Sequence, residues 1–399
     1  MIISFYPRNI FNTFAGQKLL KQIIVMNYIL LSSGLAFLIT FFAIPVIIQV
    51  AKDKKLFDEP DERKVHKNVI PTLGGLGIFA GFIIATLMGV PPGYTLNLQY
   101  FVAASTVIFF LGIKDDILVL SASKKFIGQL IAAGIIIKFG GIQINNFQGF
   151  LGIYEIPHTT SVIISLFTII VITNSFNLID GVDGLAGSLG LLTTLVFGTY
   201  FFYAGQLTYA VMALALSGSI IGFLIYNFSP AKIFMGDTGS LLLGLINSVL
   251  VIKFIEIAGN TASNFPIKAA PAIGFAILMI PLFDTLRVFG LRIMQRRSPF
   301  SPDRTHVHHF LLDLGLSHRM VTITCVLVNI TFIAMAYFMR NMGTTTVIGI
   351  LLLSAFIFIG IIYYSRPKNK SVFARKIEKT EIIKSHKIFQ LAGETVEAD

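Results

Sequence analysis

Long apolar runs recur from about residue 28 to residue 364, and they constrain the fold of this chain more than any other feature. Most are at least about 18 residues long and free of charge, enough to cross a hydrocarbon core of roughly 30 Å. Of the 399 residues, 55% are hydrophobic and 13% are charged, whereas soluble domains average about 25% charged residues. The pattern predicts an all-α integral membrane protein.

The apolar runs, divided at charges and at Pro or Gly breaks, predict about eleven transmembrane helices. They lie near residues 28–50, 72–90, 100–113, 126–139, 161–178, 187–204, 208–226, 239–257, 271–293, 320–339 and 344–364. This divides the chain into an N-terminal extension (1–26), a polytopic membrane domain (27–365) and a polar tail (366–399).

Lys and Arg collect in alternate loops, which predicts the orientation in the membrane. The basic loops are 51–70, 114–125 and 287–319, and the loops without Lys or Arg are 91–99, 140–158 and 205–207. The basic loops are therefore predicted to be cytoplasmic, with the N-terminus outside, the C-terminus cytoplasmic and the chain multi-pass in the inner (plasma) membrane. The net charge of +11 suits an anionic leaflet. No basic face alternates with aromatic residues, so no nucleic-acid partner is expected.

Acidic residues are scarce between residues 63 and 301, and most of them fall at the predicted cytoplasmic ends of helices. Charged groups near membrane depth are expensive and usually functional. The acids on this side are Asp115, Asp116, Asp180, Asp183, Asp237 and Asp284, whereas Glu155 and Glu256 fall on the outer side. We expect the outer pair to be solvated and the inner group to form an active site.

Asp115 and Asp116 end the third predicted helix. Adjacent carboxylates repel each other unless a cation lies near, and one of them can take a proton or position a nucleophile. The sequence does not say which of the two acts.

Amide and carboxylate oxygens recur every three residues at Asn174, Asn177, Asp180 and Asp183. This spacing keeps them roughly on one side of a helix and the turn that continues it. Hard oxygen ligands suit Mg²⁺, or a ribose and phosphate. Asp237 begins the eighth predicted helix, where a metal ligand would lie beside backbone N–H groups that hold phosphate.

The last basic loop contains Arg304, His306, His308 and His309. The three histidines could hold a transition metal, but no Cys is near and Arg304 disfavours a cation, so a phosphate or sugar-phosphate site fits better. Lys64 and His66 add cations before the second helix, although basic cytoplasmic loops are common. Together these residues suit phosphoryl transfer, which needs charge neutralisation and alignment more than covalent groups.

These motifs resemble those of the polyprenyl-phosphate N-acetylhexosamine-1-phosphate transferase family, in order, over about residues 45–365. The motifs are Lys-Asp115-Asp116, the 174–187 stretch, Phe-Met-Gly-Asp237-Thr-Gly-Ser, Pro281-Leu-Phe-Asp284-Thr and Arg304-Thr-His306-Val-His308-His309. The resemblance implies transfer of a sugar 1-phosphate from a UDP-sugar to a polyprenyl (undecaprenyl) phosphate, with release of UMP and a requirement for Mg²⁺ or Mn²⁺.

The resemblance also implies roles for individual residues. Asp237 and Asn177 would be metal ligands, and Asp115 and Asp116 would lie beside the metal and the lipid phosphate. The substrate-binding residues would be Asn174, Asp180 and Asp183 toward the nucleotide, Arg304, His306, His308 and His309 toward the sugar and diphosphate, and Lys64 and His66 at the flank. Asp284 belongs to the pattern with no role beyond supporting this cluster.

The order His306-Val-His308-His309 after Arg304 favours enzymes that use UDP-N-acetylglucosamine or a related sugar to initiate a cell-surface glycan such as a lipopolysaccharide. The phospho-N-acetylmuramoyl-pentapeptide transferase of peptidoglycan synthesis, with three successive histidines, is the alternative within the family. A cation-coupled transporter is the alternative outside it, although transporters place acids near the midplane and often show repeats. The resemblance is also compatible with a homodimer.

Overall fold

The computed structural model describes residues 14–54, 70–91, 93–94, 97–296 and 305–366. Within these ranges the chain forms thirteen α-helices, two short strands and a 3₁₀ turn at Arg340–Met342. The helices are α1 (Phe14–Asp53), α2 (Gly74–Gly89), α3 (Leu98–Leu118), α4 (Ala122–Lys138), α5 (His158–Ile179), α6 (Leu185–Tyr203), α7 (Leu207–Asn227), α8 (Gly236–Ala258), α9 (Ala270–Ile277), α10 (Met279–Met294), α11 (Val307–Asp313), α12 (His318–Phe338) and α13 (Thr344–Ser365).

A helix lies at each of the eleven predicted positions, and the ninth is divided into α9 and α10. Seven described helices are long and apolar enough to cross a membrane, or eight if the bent pair α9–α10 counts as one span. The chain is therefore a mostly helical, multi-pass membrane protein. The count of eleven crossings and the orientation of the termini stay predictions.

Two antiparallel strands interrupt the helical pattern in the loop between α4 and α5. β1 (Asn146–Phe150) pairs with β2 (Ile153–Glu155). The hairpin packs against the start of α13, where Thr344 donates its hydroxyl to the Gln148 carbonyl at 2.9 Å and the Leu151 N–H donates to Thr345 Oγ1 at 2.7 Å. Pairing of the two strands gives their backbone N–H and C=O groups hydrogen-bond partners within the protein.

The helix α8 lies at the centre of the bundle. In its apolar 18-residue stretch 78% of the residues are buried, against 22% in the corresponding stretch of α1. The helix packs against α5, α3 and α2. At Gly112 on α3, a Cβ would collide with the backbone of Thr238, so only glycine permits this approach. The close approach brings the acidic end of α3 to the first turn of α8.

Candidate functional site

Four predicted site residues meet at the junction of α3, α5 and α8. Asn177 donates its Nδ2–H to Asp237 Oδ1 at 2.9 Å and to Ser240 Oγ at 3.1 Å. Asp116 accepts from the Asp237 backbone N–H at 2.7 Å. Asp115 forms an ion pair with Lys125, whose Nζ lies 2.5 Å from Asp237 Oδ2. The packing thus joins three motifs that are far apart in the sequence.

The two adjacent aspartates have different surroundings. Asp116 Oδ2 accepts hydrogen bonds from Thr238 N at 3.0 Å and Thr238 Oγ1 at 2.5 Å, in addition to the bond from Asp237 N. The backbone N–H groups of Asp237 and Thr238 belong to the first turn of α8 and have no partner within the helix. Asp116 therefore caps α8, whereas the Asp115 carboxylate faces Lys125 and accepts from Leu120 N at 2.5 Å.

Beside this junction lies a cavity of about 480 Å³. It contains most of the remaining predicted site residues, and its walls come from α4, α5, α10 and the start of α11. The lining includes Asn174, Asn177, Asp180, His306, His308 and His309. Two cations that the sequence analysis used only to orient the chain, Lys125 and Arg292, also line it.

Asp180 ends α5 at the wall of this cavity. Its burial, together with the negative charges of Asp237, Asp116 and Asp183, raises the pKa of the Asp180 carboxyl well above its usual range. The carboxylate form is disfavoured first because the carboxyl is removed from water, and then because three other acids lie near it. The surroundings of Asp180 thus favour an added cation.

Asp183 lies outside the cavity lining and connects three segments. Its Oδ2 accepts from Ala231 N at 3.1 Å, its Oδ1 lies 3.2 Å from His318 Nδ1, and its carbonyl accepts from Thr322 Oγ1 at 2.9 Å. With 4% of its surface exposed, Asp183 ties the 228–235 loop and the start of α12 to the end of α5. A direct contact with a nucleotide, which the resemblance implies, stays a prediction.

Asp284 on α10 holds the histidine loop in place. Its Oδ2 lies 2.8 Å from His306 Nδ1, and its Oδ1 accepts from Val307 N at 3.1 Å and from Arg287 Nη2 at 2.7 Å. A buried carboxylate is tolerated when it is paired and hydrogen-bonded in this way. Asp284 thus orients the first turn of α11.

His308 is 2% exposed. Its ring stacks on His306 with 5.7 Å between centroids. Burial, with the positive charge that His309 can carry, lowers the pKa of the His308 imidazole to about 3. Its Nδ1 has no hydrogen-bond partner among the described residues. The ring is therefore neutral and can donate or accept one hydrogen bond to a ligand.

Lys64, His66 and Arg304 lie outside the described residues. The sequence analysis missed Gln129, which exchanges hydrogen bonds with Asn174 at 2.8 and 3.3 Å, and it missed the role of Lys125. A signal was available, because positions 125 and 129 share one face of a helix and carry polar groups in an otherwise apolar segment.

The donor atoms at this junction suit a divalent cation whose remaining ligands come from water and substrate. Among the described residues, no three His, Cys, Asp or Glu side chains converge as a ready-made metal site. Mg²⁺, however, usually takes one or two protein carboxylates, with waters and substrate phosphates completing its shell. The Lys125 ammonium lies between Asp115 and Asp237, so a cation already occupies the space between these carboxylates. The residues present fit Mg²⁺.

A larger cavity, of about 620 Å³, lies at the opposite end of α8, around Glu256 and Lys268. It contains none of the predicted site residues. The α8 helix has 23 residues and is about 34 Å long at 1.5 Å per residue, so the two cavities lie on opposite faces of the bundle. The smaller one carries the acids, cations and histidines.

The sequence is similar to those of known proteins. The sequence profile of glycosyl transferase family 4 matches residues 98–255. A "Probable undecaprenyl-phosphate N-acetylglucosaminyl 1-phosphate transferase" of Bacillus subtilis is 34% identical over 305 residues, which cover 74% of this chain and 81% of that protein.

Two further relatives have similar coverage. A "Decaprenyl-phosphate N-acetylglucosaminephosphotransferase" of Mycobacterium leprae is 33% identical over 72% of this chain and 78% of its own length. An "Undecaprenyl-phosphate alpha-N-acetylglucosaminyl 1-phosphate transferase" of Escherichia coli O157:H7 is 30% identical over 74% of this chain and 80% of its own length. The similarity therefore extends over most of each protein.

Proposed function

The chain belongs to glycosyl transferase family 4, and from this membership we propose that it transfers N-acetylglucosamine 1-phosphate from a UDP-sugar to undecaprenyl phosphate, releasing UMP. The three relatives described above are all named for N-acetylglucosamine phosphate transfer to a polyprenyl phosphate. They therefore favour this activity over the peptidoglycan transferase and over a transporter.

One observation carries the proposal: residues of three separate motifs, Asp116, Asn177 and Asp237, meet at the start of α8, next to a cavity that also contains cations and histidines. A transporter would need acids near the bilayer midplane, whereas Asp237 lies in the first turn of α8. Phosphoryl transfer needs opposite charges held in fixed positions around the phosphates. The contacts at the start of α8 support such an arrangement.

The UDP-sugar would occupy the cavity of about 480 Å³. Lys125 and Arg292 would offset diphosphate charge from its walls, and we propose that Arg304 also contacts the diphosphate. Asn174 and Asp180 would contact the nucleotide, and His306, His308 and His309 would contact the sugar and diphosphate. Lys64 and His66 would add positive charge at the flank.

Mg²⁺ is the cofactor we propose, with Mn²⁺ as a substitute. Asp237 and Asn177 would hold it, with Asp115 and Asp180 close by. Asn177 donates an amide N–H to Asp237, and the same amide carries the oxygen that a hard cation prefers. When bound, such an ion supplies charge neutralisation on the phosphates.

In the reaction, an oxygen of the lipid phosphate forms a bond to the sugar-bound phosphorus of the UDP-sugar. The bond from that phosphorus to the bridging oxygen breaks, and UMP leaves with that oxygen. The lipid phosphate is already ionised at neutral pH, so Asp115 would align it rather than deprotonate it. Asp116, which already accepts three hydrogen bonds, would position α8 and Asp237.

We propose that this chemistry takes place on the cytoplasmic side of the plasma membrane. UDP-sugars are cytoplasmic, and each of the three loops rich in Lys and Arg carries some of the predicted site residues. The product would initiate a lipid-linked cell-surface glycan.

The test uses purified protein with undecaprenyl phosphate, Mg²⁺ and a panel of UDP-sugars, with UMP release as the measurement. We expect release with UDP-N-acetylglucosamine, near-complete loss in Asp237→Asn, and a weakened response of that variant to Mg²⁺. Glu256→Gln is the matched control, because Glu256 lies on the same helix at its other end and pairs with Lys253 at 2.8 Å. Failure to release UMP with any sugar would contradict the proposal.

A further inference from the structure

The ninth predicted helix is broken at Leu278, and the axes of α9 and α10 differ by 85°. The sequence explains the break, because Pro281 has no N–H to donate to the carbonyl of Ile277, four residues earlier. The first N–H groups of α10 also lack intrahelical partners. The break therefore leaves a carbonyl at Ile277 and an N–H at Ile280 that need partners inside the bundle.

One side chain from another helix satisfies both groups. Asn329 Nδ2 donates to the Ile277 carbonyl at 2.9 Å, and Asn329 Oδ1 accepts from the Ile280 N–H at 3.0 Å. Asn329 is 0% exposed and lies midway along α12. A primary amide can donate and accept at once, so Asn329 replaces the hydrogen bond that Pro281 removes and caps α10 as well.

The direction of α10 matters for the candidate site. Asp284 follows Ile280 by four residues, one helical turn later on the same face. Asp284 in turn contacts His306 and the backbone N–H of Val307. A continuous series of contacts thus runs from Asn329 through the start of α10 to the histidines that line the cavity.

We infer that Asn329 is a positioning residue, which fixes the broken helix so that Asp284 can orient the histidine loop. Its two described hydrogen bonds go to Ile277 and Ile280, and neither residue lines the cavity. This inference rests on the proposed function for its effect on turnover, but its geometric part, the fixed angle between α9 and α10, stands independently of any activity.

The first test removes both hydrogen bonds with a side chain of similar size. We expect Asn329→Leu to lower kcat/KM for the UDP-sugar by about 10²-fold, the effect of displacing substrate-positioning groups by about 1 Å. Asn329→Asp should retain most of the activity, because a carboxyl in apolar surroundings stays protonated and keeps one donor and one acceptor. Full activity in Asn329→Leu would overturn the inference.

Asn247→Leu is the matched control. Asn247 is also a fully buried asparagine of a membrane-spanning helix, but among the described residues its Nδ2 donates within its own helix, to the Leu243 carbonyl at 2.9 Å. Its replacement should leave kcat/KM within a few-fold of the parent value. An equal loss of kcat/KM in Asn247→Leu and Asn329→Leu would mean that replacing either buried asparagine damages the core, and it would contradict a positioning role for Asn329.

The second test needs no activity. Ile293 on α10 and Tyr364 on α13, both exposed, are replaced by cysteines in a Cys325→Ala background and labelled with spin labels. The distance between the two labels is measured by double electron–electron resonance. We expect a narrow distance distribution in the parent and a broadened or shifted one in Asn329→Leu.

The two tests separate the possible failures. An unchanged distance distribution in Asn329→Leu overturns the inference even if turnover is lost. A parent protein that releases no UMP contradicts the proposed function, yet the distance measurement still decides the role of Asn329. If Asn329→Leu does not fold, Asn329→Ser carries the same comparison, because the shorter hydroxyl cannot span both backbone groups.

Discussion

At the scale of single residues, the central feature is the ammonium of Lys125 between two carboxylates. Asp115 and Asp237 come from different helices, and each contacts Lys125 Nζ. The two carboxylates would repel each other without a cation. Lys125 therefore offsets charge in the same space that a divalent ion would use.

We predict that Lys125→Met lowers the Mg²⁺ concentration needed for half-maximal turnover by roughly tenfold, since a hydrogen bond between charged groups contributes about 1.5–3 kcal/mol. The ammonium competes with the metal for both carboxylates, and methionine does not. The measurement is a Mg²⁺ titration of UMP release. Lys124→Met is the control, because Lys124 is the exposed neighbour on the same helix; an unchanged Mg²⁺ requirement in Lys125→Met would argue against the shared site.

His308 gives a prediction about pH. Its pKa of about 3 in the folded protein lies below the usual 6.5, so the unfolded chain binds more protons between these values. Stability must therefore rise with pH across this window and fall as the pH drops through it. We expect His308→Gln to flatten the decline of melting temperature between pH 7 and pH 5. His158→Gln, at an exposed position, is the control and should leave the decline of the parent protein unchanged. An equally steep decline in the His308 and His158 variants would contradict this role of His308.

At the scale of elements, the first turn of α8 is stabilised by a residue from α3. Asp116 satisfies two backbone N–H groups and the Thr238 hydroxyl, and its negative charge also suits the positive end of the helix dipole. The structure thus separates two adjacent aspartates into one that anchors a helix and one that faces the cavity side.

We predict that Asp116→Ala destabilises the protein by about 1–2 kcal/mol, the usual cost of losing a helix N-cap. Asp115→Ala should cost less, because it also removes the repulsion from Asp237. Thermal unfolding in detergent compares the two variants. A larger loss of stability in Asp115→Ala would contradict this division of roles.

At the scale of the whole molecule, α8 connects two different faces. Asp237 lies at one end and Glu256 near the other, and a helix of this length matches the thickness of a bilayer. The distribution of Lys and Arg predicts that the face with Asp237 is cytoplasmic.

We predict that Lys124→Cys in a Cys325→Ala background is labelled by a membrane-impermeant maleimide only after the cells are opened. Lys268→Cys, an exposed position beside the larger cavity, should be labelled in intact cells. Both replaced side chains are exposed, so access is set by the membrane. The reverse pattern would invert the proposed topology.

The sequence alone determined the helical membrane class, the positions of the helices and the residue types of the site, because hydrophobic length, charge and motif spacing are local properties of the chain. It also placed Asp115, Asp116, Asn177 and Asp237 in one site through the family resemblance. The break in the ninth helix could have been predicted from Pro281, since a proline removes a backbone donor wherever it lies.

Only the tertiary structure decided which groups meet. Lys125 contacts Asp237 across 112 positions of sequence, and Asp116 contacts Thr238 across 122; such distances depend on how α3, α4 and α8 pack. The same holds for Asn329, whose amide completes a helix break 49 to 52 positions away. A buried polar group must find a partner, but the sequence does not say which of many distant groups the packing will bring within reach.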